Sequence, residues 1–215
     1  MYDYYDYYPS DIYGVQRNVS YARVLHASPD APAVDVYVNN RKIASNLAYK
    51  NFTQYIQLNP GNYNVRVFPA GRTTNPVINQ DINIQPNSIF TVAATGKLNN
   101  ISLYPISEPR LTIPPGRVYV RFAHLSPGAP NVDIRLPDGT TLFRNVGYRQ
   151  ATNYIPVTPG TYTLEAYPTG ADQRVLYVPN MTLKPNRFYT VYAVGLAEGE
   201  PPLQVLIPLD GNSYL

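Results

Sequence analysis

The sequence predicts an all-β chain made of two tandem antiparallel β-sandwiches, immunoglobulin-like or transthyretin-like. Three observations predict it. A long motif occurs twice, about a hundred residues apart. The segments between turn signals alternate apolar and polar residues with the period of a strand. No long stretch carries apolar residues at helical spacing.

The repeat sets the organisation, because a unit that recurs is a folding unit. Tyr21-Ala-Arg-Val-Leu-His-Ala-Ser-Pro-Asp-Ala-Pro-Ala-Val-Asp35 returns as Tyr119-Val-Arg-Phe-Ala-His-Leu-Ser-Pro-Gly-Ala-Pro-Asn-Val-Asp133. The offset is about 98 residues, and one residue inserted near Asp138-Gly139 makes it about 99 thereafter, an ordinary domain length. Tyr49 then matches Tyr148, Tyr55 matches Tyr154, and Pro60-Gly61-Asn62-Tyr63 matches Pro159-Gly160-Thr161-Tyr162. Thr91-Val92 and Gly96 match Thr190-Val191 and Gly195. The expected organisation is a tyrosine-rich head over 1–18, a first sandwich over 19–107 and a proline-rich linker over 108–116. A second sandwich over 117–211 and a short tail over 212–215 complete it.

The strands follow in order. In the first copy they are expected at Ala22–His26, Val34–Val38, Phe52–Leu58, Tyr63–Phe68, Val77–Ile84 and Ile89–Thr95. In the second copy the clearest is Tyr162–Tyr167, where Tyr162, Leu164 and Ala166 alternate with Thr163, Glu165 and Tyr167. Pro60-Gly61, Pro137-Asp138-Gly139 and Pro159-Gly160 mark the turns between them. Many short strands at such spacing are the pattern of a sandwich.

Composition narrows the function classes. Of 215 residues, 44% are hydrophobic, enough to build a core. There is no cysteine, so disulfides, thiolate metal sites and a cysteine nucleophile are all excluded. A net charge of +3, spread along the strands, does not point to nucleic acid. No apolar run approaches the length of a membrane-spanning helix, about 18 residues. The first basic residue is Arg17, with Asp3, Asp6 and Asp11 before it, so no secretory signal is visible and cytosolic synthesis is expected.

The residues with chemistry are those of the repeated motif: Arg23, His26, Ser28 and Asp35, then Arg121, His124, Ser126 and Asp133. Serine, histidine and aspartate are the types a hydrolase relay needs. However, each serine precedes a proline in an S-P-x-A-P turn, without the G-x-S-x-G elbow that exposes a nucleophile. The reading favoured is structural, with no catalytic residue and no enzyme activity. Arg23 and Arg121 are expected to pair with Asp35 and Asp133, since the guanidinium fork suits a carboxylate. Two histidines a domain apart cannot make a zinc set, and Asp30 and Asp35 lack the spacing of a calcium loop. Asp30 is moreover replaced by Gly128 in the second copy. No metal and no cofactor are expected.

The head reads differently. Tyr2, Tyr4, Tyr5, Tyr7 and Tyr8 fill five of its first eight positions, with Asp3 and Asp6 among them. Tyrosine offers large contact area with a polar tip, which suits interfaces. The head is read as an assembly element, against the alternatives of a disordered terminus or a tail laid over its own domain.

The duplicated R-x-x-H-x-S-P-x-A-P-x-V-D stretch, with its later P-G-x-Y turn, resembles a bacterial family known as domain of unknown function 4397. The resemblance covers 21–107 and 119–210. It implies β-sandwich domains, often in tandem, and many members that are exported or surface-associated. It implies no activity and no site residue. The acidic, tyrosine-rich head resembles the ends of some spore-coat proteins, which are made in the cytosol without a signal. The expected function is a non-enzymatic structural or interaction protein, associated with a bacterial surface layer or spore coat. Its partners would be protein: itself, or coat and envelope components. The alternative is a module binding a glycan or other ligand, with Tyr5, Tyr8, Tyr148 or Tyr167 stacking on sugar faces.

Overall fold

The computed structural model describes residues 19–215. Copy one contains β1 (Ser20–His26), β2 (Val34–Val38), β3 (Arg41–Leu47), β4 (Ile56–Leu58), β5 (Gly61–Pro69), β6 (Ile78–Ile84), β7 (Ile89–Thr95) and β8 (Ser102–Ser107). They form two four-stranded sheets, ordered β4-β1-β7-β8 and β3-β2-β5-β6. Copy two repeats the plan with β9 (Val118–His124), β10 (Val132–Arg135), β11 (Thr141–Val146), β12 (Gln150–Ala151), β13 (Ile155–Val157), β14 (Gly160–Pro168), β15 (Leu176–Leu183), β16 (Phe188–Val194) and β17 (Gln204–Leu206). Its sheets run β12-β9-β16-β17, with β13 also on β9, and β11-β10-β14-β15. The all-β sandwich reading holds. Pairing is antiparallel except for β1 with β7 and β9 with β16, which are parallel.

Each copy closes over its own core. Val24, Val36, Val67, Ile82 and Val92 meet between the sheets of copy one. Phe122, Ile134, Phe143, Leu164 and Val191 do so in copy two. A third cluster joins the copies: Leu25, Ala27, Ala93 and Ile106 pack against Ala123, Leu125, Tyr192 and Val194. The result is four stacked sheets, with the β1 sheet and the β9 sheet in the middle. Strands buried on both faces lose their polar alternation. That explains why all of β16, Phe-Tyr-Thr-Val-Tyr-Ala-Val, is buried. Within β1, Val24 points to its own core while Arg23 and Leu25 face the other copy.

In copy one, two strands are absent from the sequence reading; in copy two it names only Tyr162–Tyr167. β3, Arg-Lys-Ile-Ala-Ser-Asn-Leu, is an edge strand whose pairing with β2 is broken by two register shifts, so its faces do not alternate. β8 carries Pro105, tolerated because β8 is also an edge. The stretch expected as one strand at Phe52–Leu58 is strand only over Ile56–Leu58, Phe52 making a single bridge to Leu25.

The two P-G turns are not equivalent. Gly61 has φ +142°, a region that essentially only glycine occupies, whereas Gly160 has ordinary backbone angles. Gly61→Val is expected to cost about 1–3 kcal/mol in urea unfolding, from backbone strain alone. Gly160→Val, at an exposed strand start, should stay within about 0.5 kcal/mol of the parent.

Candidate functional site

The repeated motif lies at the end of each sandwich, where β1 turns into β2 and β9 into β10. His26 and His124 are buried. Their Nε2 atoms donate to the carbonyls of Pro32 (2.9 Å) and Pro130 (3.1 Å), inside the S-P-x-A-P turn. Ser28 Oγ donates to the Gly96 carbonyl at 2.6 Å, and Ser126 Oγ to the Gly195 carbonyl at 2.7 Å. Each serine thus ties the turn to the strand after the next sheet crossing. Burial pushes both histidines below their ordinary value, opposed only by the proline carbonyls, so both rings are held neutral.

Asp35 and Asp133 do different work on the outer sheets. Asp35 Oδ1 accepts from the Asn46 amide at 2.9 Å, and Asp133 Oδ1 accepts from the Asn145 amide at the same distance. Asn46 and Asn145 have φ +53° and +51°, the left-handed conformation that asparagine tolerates best. The aspartates therefore pin the bulges of β3 and β11. Lys42 (2.7 Å) holds Asp35 ionised, first by its hydrogen bond, and the Asn145 amide does the same for Asp133, helped by Arg135. Among the described residues no serine hydroxyl bonds to a histidine ring and no histidine ring to an aspartate in either copy; the one serine–histidine contact is the Ser126 backbone amide donating to His124 Nδ1 at 3.3 Å.

The expected pairing of Arg23 with Asp35, and of Arg121 with Asp133, is wrong. The aspartates sit on the outer sheets. The arginines sit on the inner strands and point into the seam between copies. There Arg23 Nε donates to Thr91 Oγ1 (2.9 Å), which donates to Glu108 Oε1 (2.7 Å). Tyr55 OH donates to the same oxygen at 2.6 Å. Copy two repeats the relay: Arg121 Nε to Thr190 Oγ1 (2.8 Å), Thr190 and Tyr154 each to Asp210 Oδ2 (2.5 Å). The relays then cross. Arg23 Nη2 donates to Asp210 Oδ1 at 3.2 Å and its Nη1 to the Leu209 carbonyl, while Arg121 Nη1 donates to the Ser107 carbonyl at 2.6 Å. Glu108 Oε2 accepts from the Gly211 amide at 2.8 Å. Tyr55 and Tyr154 lie under the guanidinium planes, 4.6 and 4.4 Å from ring centre to Cζ. Glu108, placed by the sequence reading in the linker, is thus fully buried and structural.

The family described as Domain of unknown function (DUF4397) matches residues 20–135 and 136–212. The chain belongs to this family. No curated protein matches the sequence. Among solved structures, the chain is similar to the Bacillus anthracis TIE protein, at 12% identity and TM-score 0.26, over 81% of this chain and 33% of that one. It therefore spans about a third of that relative's length. A family CBM26 module from Eubacterium rectale Amy13K, solved with maltoheptaose, gives 9% identity and TM-score 0.28 over 90% and 99% of the two chains. A leucine-rich repeat protein from Bacteroides thetaiotaomicron gives 13% and 0.22 over 80% and 26%.

The family domains of this chain hold no group of three or more metal-ligating side chains among the described residues. Nor is any helix there long and apolar enough to cross a membrane. Tyr2, Tyr4, Tyr5, Tyr7 and Tyr8 lie outside the described residues. Of the tyrosines considered for sugar stacking, Tyr148 is half-buried in the seam, 3.4 Å from Thr95 Oγ1, and Tyr167 is half-buried under Arg135. Tyr177, which the sequence reading did not single out, is 51% exposed.

The seam carries a pH signature. Burial, then the neighbouring Glu108 carboxylate, pushes Asp210 up to about 6, against the pull of Arg121, Thr190 and Tyr154. A raised carboxyl stabilises the fold fully below its unfolded value of 3.8, and this contribution is lost as pH rises through about 6. The histidines act the other way. Their contribution is present above 6.5 and is lost as pH falls below it. Asp210→Asn removes the first effect and leaves the second. The variant should lose more stability than the parent between about pH 7 and about pH 5, read from urea midpoints.

Proposed function

We propose that this chain is a non-enzymatic structural or interaction protein, in which two family domains form one rigid block bearing a tyrosine-rich assembly segment at residues 1–18. The supporting observation is the fate of the repeated polar motif. Each of its serines, histidines, aspartates and arginines is spent on a backbone carbonyl, a bulge amide or the seam. A nucleophile needs a base within hydrogen-bond reach, and here Ser28 and Ser126 are buried and turned to glycine carbonyls instead. A block stapled through its centre suits load-bearing or display. We place it in a bacterial surface layer or spore coat, with itself or coat proteins as partners.

Light scattering on the full chain and on residues 19–215 tests this. Both cores and the seam lie within 19–215, so the shorter chain keeps its fold. At millimolar protein the full chain is expected to form large assemblies and the shorter chain to stay monomeric. Equal behaviour would remove the assembly role of the head.

A second reading, a ligand module, is favoured by one feature. The Asp30 side chain ties the β1–β2 turn to the Leu98 amide in copy one, at 2.8 Å, and Gly128 cannot do so in copy two. A pocket of about 300 Å³ opens there, between Ala129, Pro130, Leu196 and Pro202, with Arg174 beside it. A glycan screen without binding above background would set this reading aside.

A further inference from the structure

Copy one differs from copy two on its outer flank. β3 and β4 are free edges of its two sheets, and between them runs an open groove of about 620 Å³. Ile43, Ile56, Leu58 and Tyr63 line it, and Arg41 and Lys42 stand at its rim. The floor continues into a small apolar pocket against Val24 and Val92. The repeat gives the counterparts in copy two. Val24 corresponds to Phe122 and Ala44 to Phe143, both buried in that core. Arg41 and Lys42 correspond to Thr140 and Thr141. An apolar floor with a basic rim is therefore a property of copy one alone.

Copy one is also the copy that the head enters. Ser20 is paired with Leu58, Tyr21 with Gln57 and Ala22 with Ile56, so the chain before residue 20 leaves directly beside the groove wall. That segment holds six tyrosines and three aspartates against one basic residue, Arg17. Its rings suit the apolar floor and its carboxylates suit the rim. Arg41 is exposed and makes no ion pair among the described residues. Ten residues of extended chain reach about 33 Å. A tethered segment meets its site at an effective concentration of order millimolar, so at micromolar protein the chain's own head outcompetes that of a second copy.

We propose that Tyr2–Tyr8 docks into the β3–β4 groove of its own chain, with tyrosine rings on the apolar floor and Asp3 and Asp6 against Arg41, Lys42 being already held by Asp35. This rests on the reading of the head as an assembly element and names its receptor: in dilute protein the head sits in its own groove, and above the millimolar effective concentration heads exchange into the grooves of other copies, which builds the assembly. The docked head covers the two open sheet edges of copy one, which are otherwise templates for pairing with another chain.

The absence of cysteine makes the test clean. In the full chain, Ser10→Cys is combined with Gln57→Cys in the groove or with Asn83→Cys on the opposite edge strand. Both targets lie near the chain's exit, since Ser20 Oγ donates to the Gln85 carbonyl at 2.7 Å. The internal disulfide of the Gln57 pair should form about tenfold faster under mild oxidation than that of the Asn83 pair. Arg41→Glu should abolish the preference, and so should Val24→Phe, which installs copy two's residue in the floor. Arg41→Glu leaves the core untouched, so misfolding of Val24→Phe does not decide the matter. Equal rates for the two pairs overturn the proposal. Disulfide-linked dimers in place of the internal bond also overturn it, giving the groove to a second copy's head. Loss of assembly without the head, together with equal rates, leaves the interaction reading standing and removes only the groove.

Discussion

Arg23→Met is expected to lower stability by about 3–5 kcal/mol, the cost of breaking a buried ion pair from one side. Arg23 is 5% exposed and stands between two carboxylates, Asp210 at 3.2 Å and Glu108 at 4.0 Å. Methionine fills much of the volume but leaves both acids without that cation in a dry seam. It also orphans the Leu209 carbonyl and frees Thr91 Oγ1 from its donor. Arg23→Lys keeps the charge but cannot reach the threonine, the carbonyl and the carboxylate together, so it should fall between parent and methionine. Asp210→Asn should cost less, because Glu108 still faces the Arg23 guanidinium at 4.0 Å and burial beside Glu108 already disfavours the ionised Asp210 carboxyl. Urea unfolding of the three variants checks the order. Arg23→Met within about 1 kcal/mol of the parent would show the network to be dispensable.

The seam is also where the sequence was least legible. The duplication, the turns and most strands were visible, because period-2 alternation and P-G pairs are local signals. β3 and β8 were not, since one is broken by bulges and the other contains Pro105. The motif's buried polar residues were visible too, but their partners were not. Arginine and aspartate in one motif looked like a pair, yet the sheet crossing between β1 and β2 puts them on different layers. Thr91, Thr190, Tyr55 and Tyr154 recur in both copies and were open to recognition. Glu108 and Asp210 were hidden, since they differ in type and their offset departs from that of the repeat. Ile89–Thr95 and Phe188–Val194 are buried almost throughout, which in an antiparallel sandwich with one wet face would be out of place.

Duplication produced two copies that are no longer interchangeable, and the seam shows why. Leu25 and Ala27 correspond to Ala123 and Leu125, and Ala93 corresponds to Tyr192. Large and small residues have been exchanged at equivalent places, so the two faces interdigitate rather than collide. Tyr192 is the largest side chain in this contact and is fully buried, its ring 5.8 Å from that of Phe52 in the other copy.

Tyr192→Ala should therefore cost about 3–5 kcal/mol, the range for truncating a large buried ring without relaxation. The loss falls on the contact between copies, so a single unfolding transition should split into two as the domains uncouple. Tyr192→Phe separates ring from hydroxyl. The hydroxyl has no hydrogen-bond partner among the described residues, and burial pushes its ionisation up to about 12. Removing an unpaired buried hydroxyl leaves packing intact and relieves a desolvation cost, so the phenylalanine variant should equal or exceed the parent, by up to about 1 kcal/mol. A loss of more than about 1 kcal/mol in Tyr192→Phe would show that the hydroxyl has a partner. A single transition retained in Tyr192→Ala would place the coupling in the arginine network instead. The two variants together with Arg23→Met thus apportion the rigidity of the block between its apolar and its charged halves.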